Sequence, residues 1–362
     1  ETAGMWIASS AATVTAVLAS DLCRVRPPTE QVPRTLVGSS AGDVFRHLVR
    51  MNDGQGHSPM REAVSSALQA IDAEQIAAES DTTARLLIDE LEPQAHPSRL
   101  TDFAFQLPVN VVASLLGISQ ERLPRVAVWT SEFVRCLTPT SSPEQIEQGK
   151  RAAGHLLEMV QALLDAPEAA PGPGLASILA RESQRVGYAD REAIAANSVG
   201  LLSQTYEATA GLIGNVLLAL ARHQDIYEQV VAEPDRLRLV IHEVLRYDSP
   251  VQNTRRYVAA DGVVAGEEMH EGDAVLVVLA AANRDPAANP DPERLDIFRK
   301  SRVLFTFGAG AHGCPGESVA EMIARAGVAR LLATGANLPH LTATMSYRPS
   351  ANVRIPLFEG ER

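Results

Sequence analysis

Of the three cysteines in this 362-residue sequence, Cys314 stands where a thiol can do chemistry. Pro315-Gly316 follow it, which predicts a helix opening at Pro315 with Cys314 at about the N-cap position. Helix N–H groups would then point toward the sulfur, and the positive helix end would stabilise a thiolate, the form that ligates metal. Upstream, Gly308, Gly310 and Gly313 let backbone approach a flat ligand without Cβ clashes, and Phe307 can cover the sulfur. The segment Gly308-Ala-Gly310-Ala-His312-Gly313 also matches G-x-G-x-x-G, the dinucleotide-binding loop. That unit requires a second strand after the helix and an Asp or Glu about 20 residues beyond the glycines. The acids that follow are Glu317, Glu321 and Glu359, so the context for a dinucleotide fails. Taken alone, Cys314 would read as a buried free thiol at a helix start, the commoner fate of a lone cysteine.

Other charged residues stand at spacings that could pair. Glu243 and Arg246 share one helix face at i and i+3, a pair that on an exposed helix contributes only tenths of a kcal/mol. His57 and Arg61 lie at i and i+4 on one predicted helix. Arg255 and Arg256 stand just ahead of the strand expected from Val258, and His312 precedes Cys314 by two residues. Each of these cations alone would suit a surface.

The run Phe307-Gly308-Ala-Gly310-Ala-His312-Gly-Cys314-Pro-Gly316 resembles the haem-binding loop of the cytochrome P450 family, a highly specific signature. The resemblance implies that Cys314 is the axial thiolate on the iron of haem b, with Phe307, Gly308 and Gly316 against the cofactor. Glu243-Val-Leu-Arg246 is similar to the family's E-x-x-R element, which implies a structural lock completed by a following arginine, Arg294 or Arg299. His57 with Arg61 resembles the H-x-x-x-R of the family's third helix. Arg256, with Arg255 as an alternative register, resembles the propionate-binding arginine, and His312 completes the set. Asn283-Arg284-Asp285-Pro286 resembles the family's A-N-R-D-P run. The likeness extends from the first strand to the last β-like segment.

One element departs from the family pattern. The long helix expected over 190–223 should cross the haem and carry small residue, Gly, any residue, Asp or Glu, then Thr, the acid and alcohol relaying protons for oxygen activation. Here the segment reads Ser203-Gln204-Thr205-Tyr206-Glu207-Ala208-Thr209. Glu207 takes the acid position, Ala208 stands in place of the alcohol, and Gln204 and Thr205 replace the two small residues. Because Gln204 and Ala208 are i and i+4, the Gln amide is expected over the gap left by the missing hydroxyl, with Thr205 as a second candidate. A local bulge that lets Thr205 or Thr209 restore the relay is the plainer alternative. A modified site implies chemistry less dependent on prompt proton delivery: oxidative coupling of phenols, C–C or C–N bond formation, or hydroxylation through a water relay.

The resemblance thus implies a haem-thiolate monooxygenase or oxidase using O₂ on a medium-sized, natural-product-like small molecule of secondary metabolism. The alternative is a haem-thiolate protein with atypical or no monooxygenation, peroxide-driven or serving in binding or sensing. No flavin or iron–sulfur cysteine pattern is present, so electrons are expected from a separate ferredoxin with its reductase, or from a flavodoxin. Docking is expected on the Cys314 side, near Arg61 and Arg302. Substrate contacts are expected from the loop before His57, from 130–145, from Ser203–Thr209, and from Val251 and Asn253.

The elements that must position these residues are mostly helical. The sequence is 46% hydrophobic and 21% charged, enough to bury a large core. Its net charge of −12 argues against nucleic acid or an anionic membrane as partner. Three cysteines make no disulfide framework or C-x-x-C motif, which suits a cytoplasmic protein. No apolar run reaches the roughly 18–20 residues of a membrane span, and the first residues lack a signal-peptide pattern. With no linker or repeat, 1–362 reads as one haem-thiolate domain, a monomer, with an incomplete N-terminal edge. The expected fold is mainly α with a small β region, the cytochrome P450 fold, its long central helix lying over haem. A strand is expected at Met5–Ala8 and helices at 11–18, 57–92 with breaks, 107–116, 119–136, 143–165, 174–183, 190–223, 235–247 and 315–334. Strands are expected within 258–264, 274–279 and 353–358, with an irregular loop over 283–292.

Overall fold

A computed structural model describes residues 5–27, 29–54, 56–166 and 174–359. The first four residues and Pro28 lie outside them. The structure is 60% helical with small sheets, the fold class expected. In chain order the elements are β1 (Met5–Ala8), α1 (Ala11–Ala19), β2 (Cys23–Arg24), α2 (Ser40–His47), α3 (His57–Gln69), α4 (Ala73–Leu91), α5 (Arg99–Leu116), α6 (Leu123–Cys136), α7 (Pro143–Asp165), α8 (Leu175–Arg185), α9 (Arg191–Arg222), α10 (Gln224–Ala232) and α11 (Leu237–Tyr247). There follow β3 (Thr254–Val258), β4 (Gly262–Val264), β5 (Glu267–Met269), β6 (Ala274–Val277), α12 (Leu279–Asn283), α13 (Glu317–Ala333), α14 (Leu338–Leu341), β7 (Met345–Tyr347) and β8 (Pro356–Phe358).

Local chemistry sets several of these boundaries. Helix α7 opens on a capping box in which Ser142 and Gln145 exchange side-chain and backbone hydrogen bonds, with Pro143 at the first helical position. Helix α9 opens on Asp190, whose carboxylate accepts the N–H groups of Glu192 and Ala193, and has Arg222 in its last turn. The β4–β5 hairpin turns through Ala265 and Gly266, both at positive φ (53° and 90°), the geometry of a type I′ turn.

The structure departs from expectation where a local signal is concealed. Helix α2 lies where no element was expected, and α10 starts two residues after α9, with His223 (φ −122°, ψ 81°) breaking the run. Helix α5 begins at Arg99, eight residues before Leu107, because Pro108 sits inside it and masks the first half. Helix α13 begins at Glu317, not Pro315, since Pro315-Gly316 form a turn. The run 274–279 divides at Val278 between β6 and α12.

Two compact units are defined by the fold: residues 1–24, 80–108 and 207–362 form the first, and residues 25–79 and 109–206 the second. In the first unit a four-stranded sheet has the order β1-β6-β3-β2, with β1 parallel to β6 and the other pairs antiparallel. Val258, Val275 and Val277 from this sheet pack with Val14, Val17 and Leu18 of α1 and with Phe305 in one buried cluster. The base of the Cys314 loop is therefore part of the sheet's core. In the second unit α6 packs along α7 at Gly149, where a Cβ would stand 2.5 Å from the Cys136 sulfur and 2.8 Å from the Glu132 carbonyl oxygen.

Candidate active site

Cys314 is presented by a loop whose lower end is clamped. Asn283, fully buried at the end of α12, accepts the Phe305 N–H (2.7 Å) and donates to the Thr306 hydroxyl (2.8 Å). That hydroxyl donates to the Leu245 carbonyl of α11 (2.5 Å). Beyond it the chain folds on itself: Gly308 N–H donates to Phe305 O (2.8 Å), Gly313 N–H to Gly310 O (3.1 Å) and Cys314 N–H to Phe307 O (2.8 Å). Gly310 takes φ 67°, and a Cβ there would meet the Leu18 carbonyl oxygen at 3.0 Å. Phe307, Gly308, His312, Cys314 and Gly316 are thereby gathered in one loop. Cys314 is exposed, whereas Cys23 and Cys136 are buried. Burial pushes the Cys136 thiol up to about 11 and raises Cys23 as well, so neither favours a thiolate. The helix end lies farther from Cys314 than expected: the N-cap of α13 is Gly316, two residues on.

Glu243 and Arg246 are not a solvated pair. Both side chains are fully buried, with Arg246 Nη2 2.7 Å from Glu243 Oε1. Arg246 also donates to the carbonyls of Pro292 (2.8 Å) and Arg294 (2.9 Å), fastening α11 to the irregular loop that leads to Cys314. The carboxylate accepts the Asp296 N–H (3.0 Å), Arg299 Nε (3.4 Å) and Arg302 Nε (2.8 Å). Burial alone would push the Glu243 carboxyl up, but these donors hold it below its ordinary value. Of the two arginines expected to complete the lock, Arg299 does so through its side chain and Arg294 only through its carbonyl. The shortest added cation is Arg302, which sequence reasoning had placed on a docking face. Its guanidinium is committed to Glu243 and nearly covered, because a buried carboxylate with several acceptor sites needs more than one donor.

Strand alternation separates the two neighbouring arginines. On β3, Arg255 is exposed and Arg256 buried, with Arg256 Nη1 donating to Arg255 O (2.8 Å) and Thr254 Oγ1 (3.3 Å). His57 and Arg61 belong to the second unit: His57 is buried at the start of α3, and Arg61 donates to Ser65 one turn on.

On α9, Glu207 pairs with Arg348, which follows β7, at 3.4 Å. Gln204 does not reach over Ala208. Its Nε2 donates to the Gly200 carbonyl (2.9 Å), which also accepts the Ser203 hydroxyl (3.2 Å). The reason is the tilt of helical Cα–Cβ bonds toward the N-terminus, which directs a side chain at i over i−4 and not over i+4. Thr205 is half-buried and Thr209 buried, within an uninterrupted helix. Arg348 and Arg302 are the residues that sequence reasoning missed; their partners lie 141 and 59 positions away, and no local spacing signals them.

The family model for cytochrome P450 matches residues 144–334. A putative cytochrome P450 of Xylella fastidiosa is 31% identical over 315 residues, covering 86% of this chain and 78% of the relative. The chain belongs to the cytochrome P450 family. A vitamin D(3) 25-hydroxylase of Pseudonocardia autotrophica is 33% identical over 274 residues, 73% of this chain and 66% of the relative. In fold, this cytochrome P450 is similar to a P450 solved with an acyl carrier protein bearing hexadec-9Z-enoic acid (TM-score 0.83, 24% identity, 98% of this chain and 90% of the other). As a bacterial-type P450 it is an oxidoreductase of the monooxygenase class whose cofactor is haem b, held through a cysteine thiolate.

The residues present fit that cofactor. The donor set holds an exposed soft thiol at Cys314 and a buried cation at Arg256, the two chemistries that haem iron and haem propionate call for. Strand β3 and the start of the Cys314 loop share one core cluster, so both are fixed by the same packing. Among the described residues no helix is long and apolar enough to cross a membrane.

Proposed function

We propose that Cys314 is the thiolate that holds haem, and that the protein oxidises a medium-sized, natural-product-like small molecule by hydroxylation or oxidative coupling. The observation that carries the assignment is the exposed Cys314 thiol at the end of its glycine-turned, doubly clamped loop, while the other two cysteines are buried with raised thiol values. When bound, the haem supplies one-electron activation of O₂.

The chain's own residues set the conditions for that chemistry. Phe307 and Gly308 lie against the cofactor beside Cys314. The buried lock of Glu243, Arg246, Arg299 and Arg302 fixes the approach to the loop, and Arg256 and His312 hold the propionates, the role that the family resemblance also implies for His57 and Arg61. Glu207 holds or releases the proton on the substrate side, without an alcohol at Ala208. Electrons come from a separate ferredoxin or flavodoxin, in keeping with the bacterial type of the family. A substrate of this size is supported by the vitamin D(3) 25-hydroxylase relative.

The test is the reduced-CO spectrum of the purified holoprotein. Thiolate ligation predicts a band near about 450 nm that is lost in Cys314→Ala. A band near about 420 nm in fresh protein, or an unchanged spectrum in Cys314→Ala, would refute the assignment.

A further inference from the structure

The acid of α9 has a partner brought from far along the chain. Arg348 Nη2 lies 3.4 Å from Glu207 Oε1, with side-chain exposures of 22% for Arg348 and 18% for Glu207. The cation is held from two further directions. Its guanidinium carbon stands 5.3 Å from the centre of the Phe105 ring, and its backbone N–H donates to the Ile355 carbonyl (2.9 Å) across the β7–β8 hairpin. Glu207 lies in the middle of the 32-residue α9, far from either end, so the helix dipole gives its carboxylate no support there. With Ala at 208, the proton traffic of this turn depends on where the Glu207 carboxylate is held.

We propose that Arg348 is a positioning residue for Glu207, keeping the carboxylate in one orientation through a preorganised, largely covered ion pair. This rests on the reading of Glu207 as the acid that handles protons for the reaction. A guanidinium suits the task because its planar fork can stack on Phe105 while a second edge meets the carboxylate. Removing it withdraws the cation from a partly buried carboxylate, and electrons delivered to the enzyme are then spent without product.

The experiment compares holoprotein carrying Arg348→Gln, Arg348→Lys, Glu207→Gln and the Glu207→Gln/Arg348→Gln pair. Urea unfolding reads the pair without reference to activity. Arg348→Gln is expected to lower the folding equilibrium constant about fivefold in the parent and to change it little in the Glu207→Gln background. Product formed per electron consumed reads positioning: a several-fold fall is expected in Arg348→Gln, largely restored in Arg348→Lys. Equal unfolding costs in both backgrounds, or parental product yield in Arg348→Gln, would overturn the proposal. If Glu207→Gln leaves product yield unchanged while the unfolding cycle still shows the pair, the reading of Glu207 fails, and with it the positioning role; the contact is then structural only.

Discussion

Replacing Arg302 by Met tests whether the buried lock around Glu243 stabilises the approach to Cys314. The substitution keeps an unbranched apolar side chain of similar reach and removes only the donor at 2.8 Å from Glu243 Oε2. Oε2 would then retain just the shared Arg246 Nε contact at 3.2 Å, while Oε1 keeps Arg246 Nη2, Arg299 and the Asp296 N–H. The loss is thus one hydrogen bond to a charged, fully buried acceptor, about 2 kcal/mol, or about 30-fold in the folding equilibrium constant. Glu243→Gln does more harm, about 3–5 kcal/mol, because it leaves Arg246, Arg299 and Arg302 covered with no anion. The two variants also differ in pH dependence. The folded Glu243 carboxyl is held below its unfolded value, so its contribution is fully present above the ordinary Glu value of about 4.3 and is lost as pH falls through the depressed folded value. The acid limb from this group is therefore expected in the parent and absent in Glu243→Gln. Urea unfolding of the haem-loaded protein, followed by far-ultraviolet ellipticity and by the Soret band between pH 7 and pH 3, measures both effects. An Arg302→Met cost below about 0.5 kcal/mol, or an equal cost in the Glu243→Gln background, would refute the argument that Arg302 acts through the carboxylate.

Two further substitutions probe the cofactor edge and α9. Arg256→Ala is expected to weaken haem retention about 10-fold or more, the worth of one charge-assisted bond, whereas exposed Arg255→Ala leaves it near parental; transfer of haem to apomyoglobin gives the rates, and an equal effect of the two would reverse the assignment. Ala208→Thr is expected to raise product formed per electron several-fold, since a helical Thr hydroxyl leans toward the preceding turn, while Gln204→Ala changes it little because the Gln amide is bound to the Gly200 carbonyl; oxygen uptake measured against product decides.

What was legible in the sequence followed from local rules, and what was hidden depended on distance. Helices α7 and α9 were bounded within a residue or two because their caps are written beside them, Ser142-Pro143 in one and Asp190 with Arg222 in the other. The Cys314 loop was legible for a similar reason: four glycines, a proline and the thiol stand within ten residues. Helix α5 was half-missed because Pro108 carries the ordinary signal of a helix's first turn, and only the packing of Phe103 and Leu107, both fully buried, shows the helix continuing ahead of it.

The charges were the least legible part, and the reason is electrostatic. An exposed i,i+3 pair and a buried one have the same spelling, so Glu243-Val-Leu-Arg246 could not show that four donor residues converge on one carboxylate. Once Glu243 is covered, its unmet acceptor sites become costly, and the fold answers by committing Arg299 and Arg302 to it. That commitment takes Arg302 off the docking face on which it was expected. Glu207 obeys the same logic on α9. A largely covered carboxylate in the middle of a helix gains little from solvent and nothing from a helix end, and here the β7–β8 hairpin supplies a cation, Arg348. Glu243 and Glu207 are thus each met by an arginine from a distant segment, and the distance, not the chemistry, is what a linear reading lacks.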